Sequence, residues 1–500
     1  MKQIFLLPLI SFFICSLSAQ IKTPASSRQA VDLTIYNSNI ALVREERTIQ
    51  LIGGLNRVTI PDIPSTIDGT SLHFSSLTDP SAVKVLEQNY QYDLVHQAKL
   101  MDKYIGKEVE FIRLDGESKN EYSVKGKLLA TGWQPQSGRN PYGGNLFYQA
   151  TGQMVAEING KIEIAPSGRL VLPALPEGLI LKPQLEWLVN ATKSGNHETE
   201  ISYLAHQLTW SCTYVALLDA KDTKLDLTGW VTITNNSGTS FSNAGLKLVA
   251  GDVNVVKDES AKFARKSFAQ AEVDVEKQFQ QKELFEYKLY SLQRKTDVGN
   301  NETKQIELTS ASNITTKKVF IFDGLAGQWQ QWFNNYSYRE QRSFGQQSNK
   351  KVGVYVMFKN DEKSGLGIAL PKGKVRVYKQ DDDRKEQFIG EDEIDHTPKD
   401  EEIRLYLGNA FDIVGERVQK DFRVIVSGHV VEESIEIKVR NHKTEAVEIQ
   451  VYEHPWRWNE WDIPKSDAKW EKVDQSTLKF NVRLKKDEEK VLSYTIRYNW

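Results

Sequence analysis

LSYTIRYNW, residues 492–500, places an apolar or aromatic side chain at every second position. Successive side chains of a strand point to opposite faces, so this alternation predicts a strand with one buried and one wet face. Residues 480–484 alternate in the same way, as do residues 435–439 and 447–451 on either side of an Asn-His-Lys-Thr turn. Short alternating strands separated by turn residues predict an immunoglobulin-like β-sandwich at residues 405–500.

The rest of the chain is also expected to be β, in several domains, because 500 residues exceed what one hydrophobic core usually serves. Residues 20–90 predict a small N-terminal β domain, and the glycine-punctuated residues 91–185 predict a small β-barrel-like domain. We expect a central β-sandwich at residues 186–404. Apolar spacings of three to four predict one amphipathic helix near residues 261–285, inserted in that sandwich. The expected fold class is therefore all-β and multidomain.

The N-terminus has the order of a secretory signal peptide, with Lys2, an apolar run from Ile4 to Cys15, and small residues up to Ala19. We expect cleavage near Ala19, at the end of a 1–19 signal peptide, and an exported protein that is periplasmic or extracellular. No stretch reaches the ~18 uninterrupted apolar residues of a transmembrane helix, so none is expected. Cleavage would leave Cys212 as the one thiol, and hence no intramolecular disulfide.

Composition and charge narrow the classes of function. Hydrophobic residues make up 40% of the chain and charged residues 26%, which is typical of a folded protein and not of a disordered one. The net charge of -2 provides no basic field for nucleic acid, so that partner is not expected. A final strand that ends in an aromatic residue also occurs in outer-membrane barrels, but the short runs and dense charges favour a sandwich.

The order of several segments resembles one family of secreted bacterial proteins of unknown function, the mucoidy inhibitor A-like family. The segments that carry the resemblance are VDLTIYNSNIALVREERTIQLIGGLNRVTIPDIPSTIDGTSL (31–72), EISYLAHQLTWSCTYVALL (200–218), LTGWVTITNNSG (227–238), LKLVAGDVN (246–254), GIALPKGKVRVYK (367–379) and FIGEDEIDHTPKDEEIRLYLGNAFDI (388–413). Many relatives carry a long coiled coil where this chain has residues 91–185. The resemblance implies an exported all-β architecture, and it brings no catalytic residue to carry over.

Candidate catalytic and metal-binding residues are few. His206 and Cys212 are close in sequence, but on one straight strand they would lie ~20 Å apart, so a small buried thiol is the favoured interpretation. The eight histidines are scattered without the spacing of a zinc site. The acidic run at residues 381–383 lacks the other residues of a calcium loop. We therefore predict no catalytic residue, metal or cofactor, although glycoside-hydrolase carboxylates remote in sequence stay open.

The aromatic residues are the best lead to function, because they crowd into two short segments near glycine, asparagine or proline. Exposed rings there would stack on sugars or form a protein-binding hot spot, whereas rings that close a sandwich core would have the same pattern. The candidate ligand-stacking residues are Trp329, Trp332, Tyr336, Tyr338, Trp456, Trp458 and Trp461.

We therefore predict an exported cell-envelope protein, not an enzyme, with a binding or structural role carried by its β-sandwich surfaces. The expected partner is an envelope protein or a glycan. The first alternative is a carbohydrate-binding protein that uses exposed tryptophan clusters. The second alternative is a glycan or peptide hydrolase with dispersed carboxylates.

Overall fold

The computed structural model describes residues 19–22, 27–91, 95–116, 119–137, 146–150, 152–176, 179–251, 278–284, 287–333, 335–343, 348–381, 383 and 385–500. These residues are mostly in strands, which confirms the predicted all-β, multidomain fold class. The two α-helices within them are the short α1 (Gln97–Asp102) and α2 (Trp329–Trp332). Among the described residues, no helix has both the length and the apolar composition of a transmembrane span.

The strands are numbered in chain order. The first fifteen are β1 (Ala19–Lys22), β2 (Arg28–Tyr36), β3 (Ile40–Leu51), β4 (Gly54–Pro61), β5 (His73–Ser76), β6 (Val83–Gln91), β7 (Glu108–Leu114), β8 (Glu121–Ala130), β9 (Trp133–Ser137), β10 (Leu146–Ala150), β11 (Val155–Ile158), β12 (Lys161–Ile164), β13 (Arg169–Val171), β14 (Gln184–Ala191) and β15 (Gly195–His206). The remaining strands are β16 (Leu208–Leu218), β17 (Lys224–Asn235), β18 (Phe241–Ala250), β19 (Phe279–Leu284), β20 (Tyr287–Leu292), β21 (Thr296–Val298), β22 (Glu302–Asp323), β23 (Lys351–Lys359), β24 (Gly373–Gln380), β25 (Glu386–Ile394), β26 (Glu402–Val426), β27 (Val430–Asn441), β28 (Val447–Glu453), β29 (Trp461–Ser466), β30 (Trp470–Asp474), β31 (Thr477–Leu484) and β32 (Glu489–Asn499).

The chain folds into two compact units, each built from three stretches of sequence. The first unit comprises Met1–Trp210, Ile233–Lys266 and Leu289–Lys304, and the second comprises Ser211–Thr232, Ser267–Lys288 and Gln305–Trp500. The sequence predicts four consecutive domains, whose boundaries differ from those of the two compact units. The four-domain division stays a prediction.

The described residues of the first unit form three larger sheets and the two-stranded sheet β9-β10. One includes the strand order β18-β2-β3-β15-β5, and a second has the order β1-β4-β14-β6. The third, β12-β11-β8-β7-β13, lies between Glu108 and Val171 and has an apolar cluster of its own around Phe111 and Leu128. This third sheet forms where the glycine-punctuated segment predicted a small β domain.

The second unit ends in one continuous sheet. It includes the strand order β22-β23-β26-β27-β32, and β28 pairs with both β22 and β31. Alternate residues of β27, β28, β31 and β32 share one apolar core, as expected for a sandwich. The deciding stretch lies in β32, where Tyr494 pairs with Ile435 and Leu492 with Ile437. Its side chains at 492, 494, 496 and 498 are buried, which confirms the predicted half-buried strand.

Two buried asparagines end strands in the same way. Asn441, at the end of β27, donates from Nδ2 to the carbonyls of Glu445 and Lys485, both at 2.8 Å, and its Oδ1 accepts from Lys443 N. Asn235, at the end of β17, donates to the carbonyl of Thr239 at 2.9 Å, and its Oδ1 accepts from the Ser237 backbone. An asparagine amide both donates and accepts, so one side chain satisfies several turn groups that burial removes from water.

The amphipathic helix predicted near residues 261–285 falls largely outside the described residues. Its described end is not helical, because Phe279–Leu284 forms the strand β19 with Phe279 buried. The prediction therefore fails for these residues, where strand pairing in the sheet outweighs a weak helical spacing. The predicted signal peptide also lies outside the described residues, apart from Ala19 at the start of β1.

The two faces of β32 are expected to differ in their effect on stability. Replacing buried Ile496 with alanine leaves a cavity in the sandwich core, and we expect the free energy of unfolding to fall by about 2–5 kcal/mol. Replacing exposed Val491 of the same strand with alanine should change it by no more than about 0.5 kcal/mol. Urea denaturation followed by circular dichroism measures both variants, and equal losses would contradict the strand assignment.

Candidate functional site

A long loop, residues 324–350, joins β22 to β23 and carries the first aromatic segment. It contains α2 and a 3-10 turn at Tyr336–Tyr338, whose N-cap Asn335 accepts a hydrogen bond from Ser337 N at 3.1 Å. Loops of this length inside a compact domain are usually functional. The structure describes this loop except for residues 334 and 344–347.

A buried ion pair connects the loop to the sandwich core. Arg457, just after β28, donates from Nη2 to Glu433 Oε1 of β27 at 2.7 Å, and both side chains are almost fully buried. Its Nη1 donates to the backbone carbonyls of Tyr338 and Arg339 at 2.6 and 3.1 Å. Removing two charges from water is unfavourable unless each is well paired. The carboxylate of Glu433 compensates the guanidinium, and the guanidinium in turn holds the loop backbone.

The two aromatic segments of the sequence meet at this loop. The ring of Trp329 stacks on His454, with centroids 4.3 Å apart and planes 8° from parallel. Nε2 of His454 lies 3.0 Å from a carboxylate oxygen of Asp323, and because a carboxylate accepts, this nitrogen donates. Trp332 packs edge-on against buried Trp456 at 5.5 Å. These tryptophans are therefore engaged in packing within the protein, which their pattern allowed beside ligand stacking.

Arg339 is held by rings in place of a carboxylate. Its guanidinium carbon lies 3.5 Å from the ring centroid of Trp458, 4.7 Å from that of Tyr336 and 5.3 Å from that of Trp500. Such cation–π contacts strengthen as water is excluded. Burial lowers the pKa of Arg339 below its ordinary value, and the group remains charged at neutral pH.

Exposed apolar residues lie beside this arginine. Tyr336 is 73% exposed, and the hairpin between β26 and β27 exposes three consecutive aliphatic side chains, Val424–Val426. Glu340 connects the two, because its carboxylate accepts from Gly428 N at the hairpin turn. We call this surface the aromatic end, and define it by Tyr336, Arg339, Glu340, Val424–Val426, Trp458 and Trp500.

The predicted ligand-stacking residues thus fall into three groups. Tyr336 and Trp458 belong to the aromatic end, and Trp329, Trp332, Tyr338 and Trp456 pack beneath it or beside it. Trp461 packs on Trp470, at 6.2 Å between centroids, and donates to the carbonyl of Gln475 at 2.8 Å. Sequence reasoning missed Arg339, Arg457 and the hairpin tip, and the available signal was the alternation of arginine and tryptophan in Trp456-Arg457-Trp458.

The thiol and metal-site candidates of the sequence lie in other parts of the structure. Cys212 is buried in β16, and burial raises its pKa to about 12, so the thiol is protonated at neutral pH. Among the described residues, no group of three or more His, Cys, Asp or Glu side chains is placed to hold a metal ion. Of the acidic run at 381–383, residue 382 lies outside the described residues.

One cavity of ≈ 390 Å³ lies in the second unit, beside Asp222, Lys318, Glu445 and Glu448. The carboxylate of Asp222 pairs with Lys318 and with Lys379, both at 2.5 Å. Burial raises the pKa of Asp222, but the hydrogen bonds from the two lysines outweigh that effect and lower it overall. A general acid of a hydrolase needs a raised pKa, so this carboxyl is a poor candidate for that role.

Loss of the Arg457 guanidinium should release the loop. We expect Arg457→Met to leave the Glu433 carboxylate buried without its partner and to lower the free energy of unfolding by about 3–5 kcal/mol. A double variant, Glu433→Leu with Arg457→Met, should recover most of that loss. Hydrogen exchange at residues 335–343 should be faster in both variants, because the carbonyls of Tyr338 and Arg339 lose their donor. Unchanged exchange there would contradict the role of Arg457.

The thiol of Cys212 should be unreactive in the folded protein. In a chain without residues 1–19, we expect a disulfide reagent at pH 8 to label Cys212 no faster than the protein unfolds, because the reactive thiolate is suppressed by burial. Labelling in guanidinium chloride provides the reference rate. Rapid labelling of the folded chain would contradict this expectation and would favour Cys212 as a candidate nucleophile.

The comparisons with known proteins identify a family for this chain but no activity. A family model described as "Domain of unknown function (DUF4139)" matches residues 199–500, which is more than half of the chain and includes all of the aromatic end. None of the curated proteins compared with the chain is similar to it. The chain belongs to the DUF4139 family of domains of unknown function.

Proposed function

We propose that this chain is an exported cell-envelope protein that binds a partner protein at the aromatic end and has no catalytic role. The observation that carries the proposal is the exposed ring of Tyr336, on a loop that Glu340 bonds to a hairpin with three exposed aliphatic residues and that a buried ion pair holds. Apolar patches of this kind mark interaction sites. The signal-like N-terminus supports export, and the mucoidy inhibitor A-like resemblance supports the same setting.

The arrangement of charges beneath the surface favours binding over catalysis. His454 is stacked under Trp329 and bonded to Asp323, and Glu433 is neutralised by Arg457. A catalytic site needs a titratable group that faces substrate and has a pKa matched to its task. Here the ionisable groups beneath the aromatic end hold the loop, which is how a rigid binding surface is supported.

The character of the surface favours a protein over a glycan. Sugar stacking would use a row of exposed rings, but Trp329, Trp332 and Tyr338 are partly buried and Trp456 is fully buried. Tyrosine, tryptophan and arginine, which meet here in Tyr336, Trp458 and Arg339, are the residues enriched in protein-binding hot spots. Trp458 and Trp461 are also partly buried, so Tyr336 is the one exposed ring among the seven candidate ligand-stacking residues.

Site-specific photo-crosslinking tests the proposal. A benzophenone amino acid at position 336, in cells that export the protein, should give a discrete crosslinked protein band. The same amino acid at Tyr122, an exposed tyrosine of β8, serves as the matched control and should not give that band. Combining the probe at 336 with Ile425→Asp should remove the band, since a charge at the hairpin tip is costly to bury.

Two results would count against protein binding at this surface. Identical bands from positions 336 and 122 would indicate non-specific contact. Crosslinks at 336 to polysaccharide alone would favour the glycan alternative.

A further inference from the structure

The starting observation is a buried arginine that has no carboxylate partner. Arg339 is only 7% exposed, and within the described part of the chain no Asp or Glu oxygen lies within ion-pair distance of it. Its Nε is buried and has no hydrogen-bond partner there. Buried charges are normally both paired and hydrogen-bonded, so this guanidinium is unusual.

The same chain shows how its other buried arginines are compensated. Arg457 donates to Glu433 at 2.7 Å, Arg417 to Glu453 at 2.9 Å, and Arg47 to Glu45 at 2.6 Å. Arg417 and Arg47 lie in strands of the structure, and Arg457 follows β28 and is bonded to a carboxylate of β27. Arg339 lies instead in the loop that displays Tyr336, and its contacts are the faces of three rings. Ring faces leave the donors at the guanidinium edge available for an acceptor.

The acidic residues closest to Arg339 along the loop and at the neighbouring hairpin are bonded to other groups. The nearest carboxylate in sequence, Glu340, is already bonded to Gly428 N and lies 3.5 Å from Ser427 Oγ. At the neighbouring hairpin, a hydrogen bond from Arg423 lowers the pKa of Asp421, and Arg342 adds to the effect. Both acids are thus engaged with groups other than Arg339.

Access to the guanidinium depends on Tyr336. This ring covers one side of Arg339 but is itself 73% exposed, and exposed side chains change rotamer on the picosecond to nanosecond timescale. Rotation of Tyr336 would open the guanidinium edge without disturbing the stack on Trp458 at 3.5 Å.

We propose that the segment bound at the aromatic end carries a carboxylate that pairs with Arg339, next to apolar side chains that contact Tyr336 and Val424–Val426. The partner is thus an acidic and hydrophobic protein segment, with an Asp or Glu side chain or a chain end as the charged group. Arginine and carboxylate form charge-assisted hydrogen bonds, which gives the site specificity as well as affinity. This inference rests on the proposed binding function and names the chemistry of its partner.

A random peptide library displayed on phage and selected on the full chain is the probe. Selected peptides should be enriched in Asp and Glu near aliphatic residues. A synthetic copy of the best peptide should bind the Arg339→Gln variant about tenfold or more weakly, because a charge-assisted pair is lost. Changing the acid of that peptide to its amide should have the same effect on the unmodified chain and little further effect on Arg339→Gln.

Two controls separate a binding role from a structural one. Arg423→Gln removes an exposed arginine of the same end that is already paired with Asp421, and it should change affinity by less than about threefold. Arg339→Lys keeps the charge and should retain the preference for acidic over amide peptide even if the stack on Trp458 is weakened. Thermal melting of each variant reports whether the fold is kept.

Several results would overturn the inference. The first two are selected peptides without acidic enrichment, and acidic peptides whose affinity is unchanged by Arg339→Gln. The other two are binding of an oligogalacturonate but not of peptides, and no binding of any peptide. If crosslinking at position 336 succeeds while any of these is found, the proposed protein-binding function is retained, and the inference that the partner pairs a carboxylate with Arg339 is wrong. If crosslinking fails as well, the aromatic end is not the binding surface.

Discussion

The buried ion pair between Arg457 and Glu433 is the interaction on which the candidate site depends. It lies where the apolar core of the second unit ends, and it binds the carbonyls of Tyr338 and Arg339. A second network, in which Arg417 and Tyr494 both donate to the Glu453 carboxylate, is buried in the same unit. Burial raises the pKa of Tyr494 well above its ordinary value, and the charge of Glu453 adds to this, so Tyr494 remains a neutral donor. Without these compensated charges, the loop and its exposed ring would have no defined position.

Much of the fold could be predicted from the sequence, because a strand that is buried on one face has an apolar residue at every second position. Residues 492–500 illustrate this, since every second side chain to Tyr498 is buried as predicted. Phe279 shows the limit of such reasoning, because five apolar residues at helical spacing did not prevent a strand at Phe279–Leu284. Periodicity is a local signal, and pairing with a neighbouring strand is decided by residues far away in the chain.

The candidate site was only half accessible to sequence reasoning. The two aromatic segments are conspicuous, but nothing local shows that Trp332 meets Trp456 or that Arg339 enters between Trp458 and Tyr336. Arg457 was missed because arginines are mostly exposed, and its burial becomes reasonable only when Glu433 is brought beside it by strand pairing. The division into six packed rings and one exposed tyrosine is likewise a result of tertiary structure.

A partner that covers the aromatic end should shield Tyr336 from solvent, and footprinting in intact cells measures this shielding. Hydroxyl-radical oxidation of Tyr336 is compared between the purified protein and intact cells, with Tyr122 as the internal reference. The account predicts that Tyr336 is protected in cells by several-fold relative to Tyr122. Equal oxidation of Tyr336 in both preparations, with Tyr122 unchanged, would contradict it.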